Sequence, residues 1–181
     1  MTHDFQSKLA FSLGEQEKVD MDTLRSVIPG CVSVRKTTPA EDRTGVDYIA
    51  TLRGGAEIFI DAKTRERGAS RYWRRGEAEI ALEKWSVVCS AACPQGKAGW
   101  TLSEASPVHY ILYTFDRSDW GEFYLLPFQL LRAAFRRNCA AWEKAYQAKQ
   151  QNSGRWKSEA IFVPVSVVLS AVSDEMRIAA Q

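Results

Sequence analysis

Three side chains with complementary chemistry lie close together along the chain: Asp47, Asp61 and Lys63. Two carboxylates and an amine on neighbouring strands can hold a hard divalent cation beside a phosphate. Mg²⁺ and Mn²⁺ prefer oxygen ligands, and Mg²⁺ usually keeps several waters, so one or two carboxylates suffice. The backbone carbonyl of Ala62 is a further candidate ligand. A cation held there would lower the pKa of a bound water and shield charge developing on phosphate. An amine at Lys63 would orient that water or offset the transition-state charge. The expectation is metal-dependent hydrolysis of phosphodiester bonds.

The segment from Gly45 to Lys63 reads as two strands, 46–53 and 56–63, around a Gly54-Gly55 turn. Tight hairpin turns need positive φ, which glycine adopts freely. On the second strand Glu57, Phe59, Asp61 and Lys63 share one face by alternation. Asp47 joins them only if the register cooperates. A two-residue loop sets Asp47 opposite Ala62, on the wrong face. A three-residue loop sets it opposite Asp61, and a five-residue loop opposite Lys63. A bulge can also correct the register. The site therefore predicts an irregular hairpin.

The remaining elements must carry this hairpin. Residues 5–28 show apolar positions at helical spacing, interrupted at Gly14 and stopped by Pro29-Gly30. Residues 31–35 alternate as a short strand, and residues 36–44 read as a loop. Strands are expected at 79–88, 108–115, 122–126 and 160–163. A helix is expected from Pro127 to about Gln150, with Phe128, Leu131, Phe135, Trp142 and Tyr146 on one side. A last helix is expected from Pro164. This order implies one α/β domain over residues 1–181, with a mixed central β-sheet flanked by α-helices.

Asp47, thirteen intervening residues and Asp61-Ala62-Lys63 resemble the PD-(D/E)XK nuclease pattern. Val46 stands where that superfamily usually has proline. Further loose likeness runs through Glu79–Trp85, Gly99-Trp100, Tyr110–Tyr113 and Phe162–Pro164, as in small phage or prokaryotic members. The resemblance implies a restriction-endonuclease-like fold and a Mg²⁺- or Mn²⁺-dependent deoxyribonuclease, an endonuclease by expectation. It implies that Asp47 and Asp61 hold the metal and that a glutamate of the first helix joins them. Glu17 is favoured over Glu15 for that role.

Net charge is only +2, too small by itself to imply nucleic-acid binding. Its distribution says more. Arg65, Arg67, Arg71, Arg74 and Arg75 cluster after Lys63, with Tyr72 and Trp73 among them, and are candidates to grip a DNA backbone. A second surplus runs from Arg132 to Lys157 and includes Arg136, Arg137, Lys144, Lys149 and Arg155. No apolar run suits a membrane span and no leader precedes the first helix, so a cytoplasmic protein with reduced thiols is expected. Cys89 and Cys93 lack the second ligand pair a zinc site needs. Neither a P-loop nor a dinucleotide fingerprint occurs, and two histidines offer little for a His-rich metal site. His109 reads as structural. A homodimer is compatible with cutting two strands. The competing readings are a nuclease-fold module that binds nucleic acid or protein without turnover, and an assembly protein using Trp142 and Tyr146 at an interface.

Overall fold

The computed structural model describes residues 20–65, 76–90, 93–115, 122–152 and 156–181. The chain divides into two compact units. The first comprises Met1–Ala62 and Pro107–Ile111, the second Lys63–Ser106 and Leu112–Gln181.

The first unit begins, among the described residues, with helix α1 at residues 20–27. Leu24 and Ile28 bury its apolar side. Pro29-Gly30 ends it, Gly30 taking a φ of 73°. Strand β1 (Cys31–Lys36) then pairs antiparallel with β2 (Tyr48–Leu52), from Cys31↔Leu52 to Lys36↔Tyr48. The segment between them, expected as loop, contains a single helical turn, α2 (Pro39–Asp42). Proline at its start and a capping box explain it: Thr38 and Glu41 satisfy each other's backbone N–H groups. Arg35 also binds Glu41 at 2.8 Å, and with Thr38 it holds that carboxyl down at about 2. Strand β3 (Glu57–Arg65) pairs antiparallel with β2.

The second unit is built on β4 (Glu79–Val87), the two-residue β5 (Lys97–Ala98), β8 (Ala148–Asn152) and β9 (Lys157–Pro164). These form a four-stranded sheet in the order β5-β4-β9-β8. The other sheet has five strands in the order β1-β2-β3-β6-β7, where β6 is Tyr110–Phe115 and β7 is Phe123–Pro127. Two strands end in proline and run straight into helices. Pro127 precedes α3 (Phe128–Tyr146), and Pro164 precedes α4 (Val165–Ala179). Proline at this boundary has no N–H for a ladder to miss and suits a helix start. Helices α3 and α4 pack on each other and on β9. The core between them and the sheet is Ile80, Leu82, Leu131, Phe135, Ile161, Val163 and Val168, all fully buried.

The α/β class expected from the sequence is the class the chain adopts, with a five-stranded mixed sheet and flanking helices. Three expectations need correction. Two sheets replace the single one, and β4 pairs with β9 rather than joining the sheet that contains the hairpin. Helix α3 stops at Tyr146, because Gln147 takes a φ of 58° and turns the chain into β8. Trp142 is 5% exposed, tilted against Phe135 at 6.3 Å, so it is core and not an interface residue.

Candidate active site

The hairpin is irregular, as the site requires. Strands β2 and β3 pair Tyr48 with Ile60, Ile49 with Phe59, Ala50 with Ile58 and Thr51 with Glu57. Leu52 N–H donates to the Ala56 carbonyl at 2.8 Å, closing a three-residue loop of Arg53, Gly54 and Gly55. Both glycines have positive φ, 99° and 86°. Arg53 leaves the ladder because its N–H donates to the Gly30 carbonyl at 2.9 Å. The register ends at Tyr48 opposite Ile60, and beyond it the Asp47 N–H also turns to the Ile60 carbonyl, so the pairing departs from a plain continuation at Asp47, as a bulge would make it.

Asp47 is fixed on three sides. Its N–H donates to the Ile60 carbonyl at 2.9 Å. Its carbonyl accepts from the Thr37 N–H at 2.9 Å and from Thr37 Oγ1 at 3.1 Å. Its carboxylate Oδ2 accepts from the Ala62 N–H at 2.7 Å, a short charge-assisted bond. Among the described residues Oδ1 receives no hydrogen bond, which leaves it available as a ligand atom. Asp61 is 7% exposed in the middle of β3, and the residue before it, Ile60, is fully buried. A carboxylate at such depth is costly unless charge or hydrogen bonds compensate it. Asp47 and Ala62 thus meet within the first unit, and Asp61 is the residue before Ala62 on β3. Lys63 is half-buried and follows Asp61 at alternate-residue spacing on β3.

The donor set is all oxygen: two carboxylates, with the Ala62 carbonyl beside them. It fits Mg²⁺ or Mn²⁺ rather than zinc. Among the described residues no three His, Cys, Asp or Glu side chains gather as a ready metal cage. Any further carboxylate would have to come from elsewhere, and Glu15 and Glu17 lie outside the described residues. The buried acid that α1 does present is Asp20, 3% exposed, whose Oδ2 accepts from the Tyr48 hydroxyl at 3.1 Å. Sequence reasoning missed it. The available signal was an acid at helical spacing from Glu17, on the side that Leu24 shows to be buried.

The predicted DNA-gripping arginines divide. Arg67, Arg71, Arg74 and Arg75 lie outside the described residues, as do Tyr72 and Trp73. Arg65 is described, with its guanidinium 4.9 Å from the centre of the Phe162 ring. Two arginines of the basic surplus along α3 are neutralised by partners distant in sequence, and a third meets a neutral carbonyl. Arg136 binds Glu104 at 2.5 Å, and Arg137 binds Glu175 through two bonds. Arg132 donates to the Ser103 carbonyl at 2.7 Å. His109 is structural: Nδ1 accepts from the Phe59 N–H at 3.0 Å, and its ring stacks on Phe59 at 5.2 Å. A cavity of about 390 Å³ between α3 and α4 is lined by Arg137, Asn138, Trp142, Ser166 and Glu175 among others. None of the predicted catalytic residues lines it. No helix among the described residues is long and apolar enough to cross a membrane.

No family model matches the chain, and no curated protein does. One solved structure, D212, a nuclease from a fusselovirus, is similar at 12% identity with a TM-score of 0.39. The likeness covers 98% of this chain and 97% of that one. It is too loose to bear on activity.

Proposed function

We propose that this protein is a metal-dependent deoxyribonuclease of the PD-(D/E)XK type. The observation that supports the reading is the bond from the Ala62 N–H to the Asp47 carboxylate at 2.7 Å, which holds Asp47 beside the residue that follows Asp61. A regular two-residue loop would have separated the two acids onto opposite faces.

In this reading Asp47 Oδ1, the Asp61 carboxylate and the Ala62 carbonyl hold Mg²⁺ or Mn²⁺. Bound there, the ion supplies a water of lowered pKa and shields charge on the phosphate. Asp47 needs little reorganisation, because Thr37, Ile60 and Ala62 already fix its backbone and one carboxylate oxygen. Lys63 contributes a positive charge toward the phosphate oxygens as negative charge builds there. Glu17 is the candidate helix carboxylate that assists. In the reaction a water oxygen bonds to phosphorus, the phosphorus–oxygen bond to the leaving nucleotide breaks, and that oxygen takes up a proton. Arg65 and the arginines up to Arg75 hold the backbone of the substrate.

The test is incubation of plasmid DNA with the protein in Mg²⁺, in Mn²⁺ and in EDTA. Nicking or degradation should occur with either metal and stop with EDTA. Asp61→Asn should lose cleavage while binding DNA as tightly or more tightly. Equal cleavage by that variant would overturn the mechanism. A gel shift without any cutting would favour the binding module instead.

A further inference from the structure

Two cations of the second unit converge on one aromatic ring. The Arg65 guanidinium carbon lies 4.9 Å from the centre of the Phe162 ring, and Lys149 Nζ lies 5.3 Å from the same centre. Arg65 ends β3, Lys149 is on β8 and Phe162 is on β9. The register accounts for the meeting of the last two. Lys149 pairs with Ala160, and Ala160 shares a face of β9 with Phe162.

The electrostatics of this arrangement are incomplete. A ring face attracts each cation but carries no net charge, and it offers their N–H groups no ordinary acceptor. Arg65 Nε is buried and has no hydrogen-bond partner. Buried donors are nearly always satisfied, so an orphaned one points to an acceptor still to come. Among the described residues no carboxylate lies within ion-pair distance of Arg65 or Lys149. Three other cations of this unit do have carboxylate partners: Lys84 has Glu143 at 2.9 Å, and Arg136 and Arg137 have Glu104 and Glu175. The nearest acids along the sheet are committed. Glu83, which pairs with Ala160, accepts from Ser86 Oγ at 2.9 Å and from the Trp100 N–H at 3.2 Å. Glu159 accepts from Gln150 at 3.0 Å and lies 3.9 Å from Lys84. Lys149 is exposed and Arg65 is half-buried, so solvent reaches the pair from the Lys149 side.

We propose that Arg65 and Lys149, seated on Phe162, form a subsite for the phosphodiester backbone of DNA. The identity of the anion rests on the nuclease reading; the geometry of the cationic pair does not. Arg65 follows Lys63 at alternate-residue spacing on β3. Arg65 supplies the planar donor fork and Lys149 a mobile point charge.

The experiment measures binding of a labelled DNA duplex in EDTA over a series of salt concentrations, so that no cleavage intervenes. Lys149→Gln should weaken binding about tenfold and lower the slope of log K against log salt by about 1, the signature of one lost phosphate contact. Arg65→Gln should do the same, with Arg65→Lys recovering only part of the affinity. Lys149 is exposed, so its variant reads the subsite even where an Arg65 variant folds poorly. Unchanged affinity and slope in Lys149→Gln would overturn the subsite. Wild-type binding without metal-dependent cleavage would remove the nuclease reading and leave the subsite standing. Cleavage with normal binding by both variants would do the reverse. A wild-type protein that fails to bind DNA at low salt removes the subsite as well.

Discussion

At the scale of single residues, Asp47 combines a structural and a chemical role, and the two can be separated. Its Oδ2 holds the Ala62 N–H, while Oδ1 is left for a ligand. Asp47→Asn keeps an oxygen for that N–H but loses the charge. Asp47→Ala loses both. Thermal unfolding should therefore find Asp47→Asn close to wild type and Asp47→Ala less stable by about 1 kcal/mol, the usual worth of such a bond at a partly solvated site. Both variants should fail to cleave DNA. Equal stability of the two would mean that the bond to Ala62 contributes nothing. The approach of Asp47 to the 61–63 segment was legible in the sequence, because the Gly54-Gly55 turn between them folds one strand back on the other. Asp20 was less so: its spacing to Leu24 marks the side it lies on, but nothing in the sequence names Tyr48 as its partner.

At the scale of elements, local signals read well and long-range pairing did not. Gly54-Gly55 announced the hairpin, but two or three loop residues suit that pair equally. The choice is made by the bond from Arg53 to Gly30, which no periodicity reveals. Strand β4 was visible in its residues, yet its partner β9 lies far along the chain, so its sheet could not be read. Helix α3 was expected to continue past Tyr146 because Gln147 looks like any helical residue. Its φ of 58° is a conformation glycine adopts without a steric cost. Gln147→Gly should therefore stabilise the protein by up to about 1 kcal/mol in chemical denaturation. A loss of stability would show that the glutamine side chain outweighs the backbone strain. Tyr113 of β6 gives a second element-scale expectation. Burial pushes its phenol up to about 12, against the partial opposition of Arg65 and the bond from the Ala81 N–H. The folded protein keeps the proton that the unfolded chain releases near pH 10. Stability should be full below pH 10 and fall as pH rises from there through 12. Absorbance titration should find one tyrosine ionising about two pH units late, its release coinciding with unfolding. A phenol that ionises with the exposed tyrosines would contradict the burial of β6.

At the scale of the whole molecule, the nuclease proposal draws on both units in different ways. The first carries the two aspartates, and the second carries Arg65 and Lys149, which have no carboxylate at ion-pair distance among the described residues. The account stands or falls on whether the carboxylates at Asp47 and Asp61 trap a hard cation. Titration of Mn²⁺, followed by the loss of its free-ion electron paramagnetic resonance signal, measures this without DNA or turnover. Wild-type protein should bind the ion, and Asp47→Asn and Asp61→Asn should each weaken binding by at least about tenfold, one ligand charge being lost in each. Equal Mn²⁺ binding by wild type and both variants, or none by any of them, would contradict it.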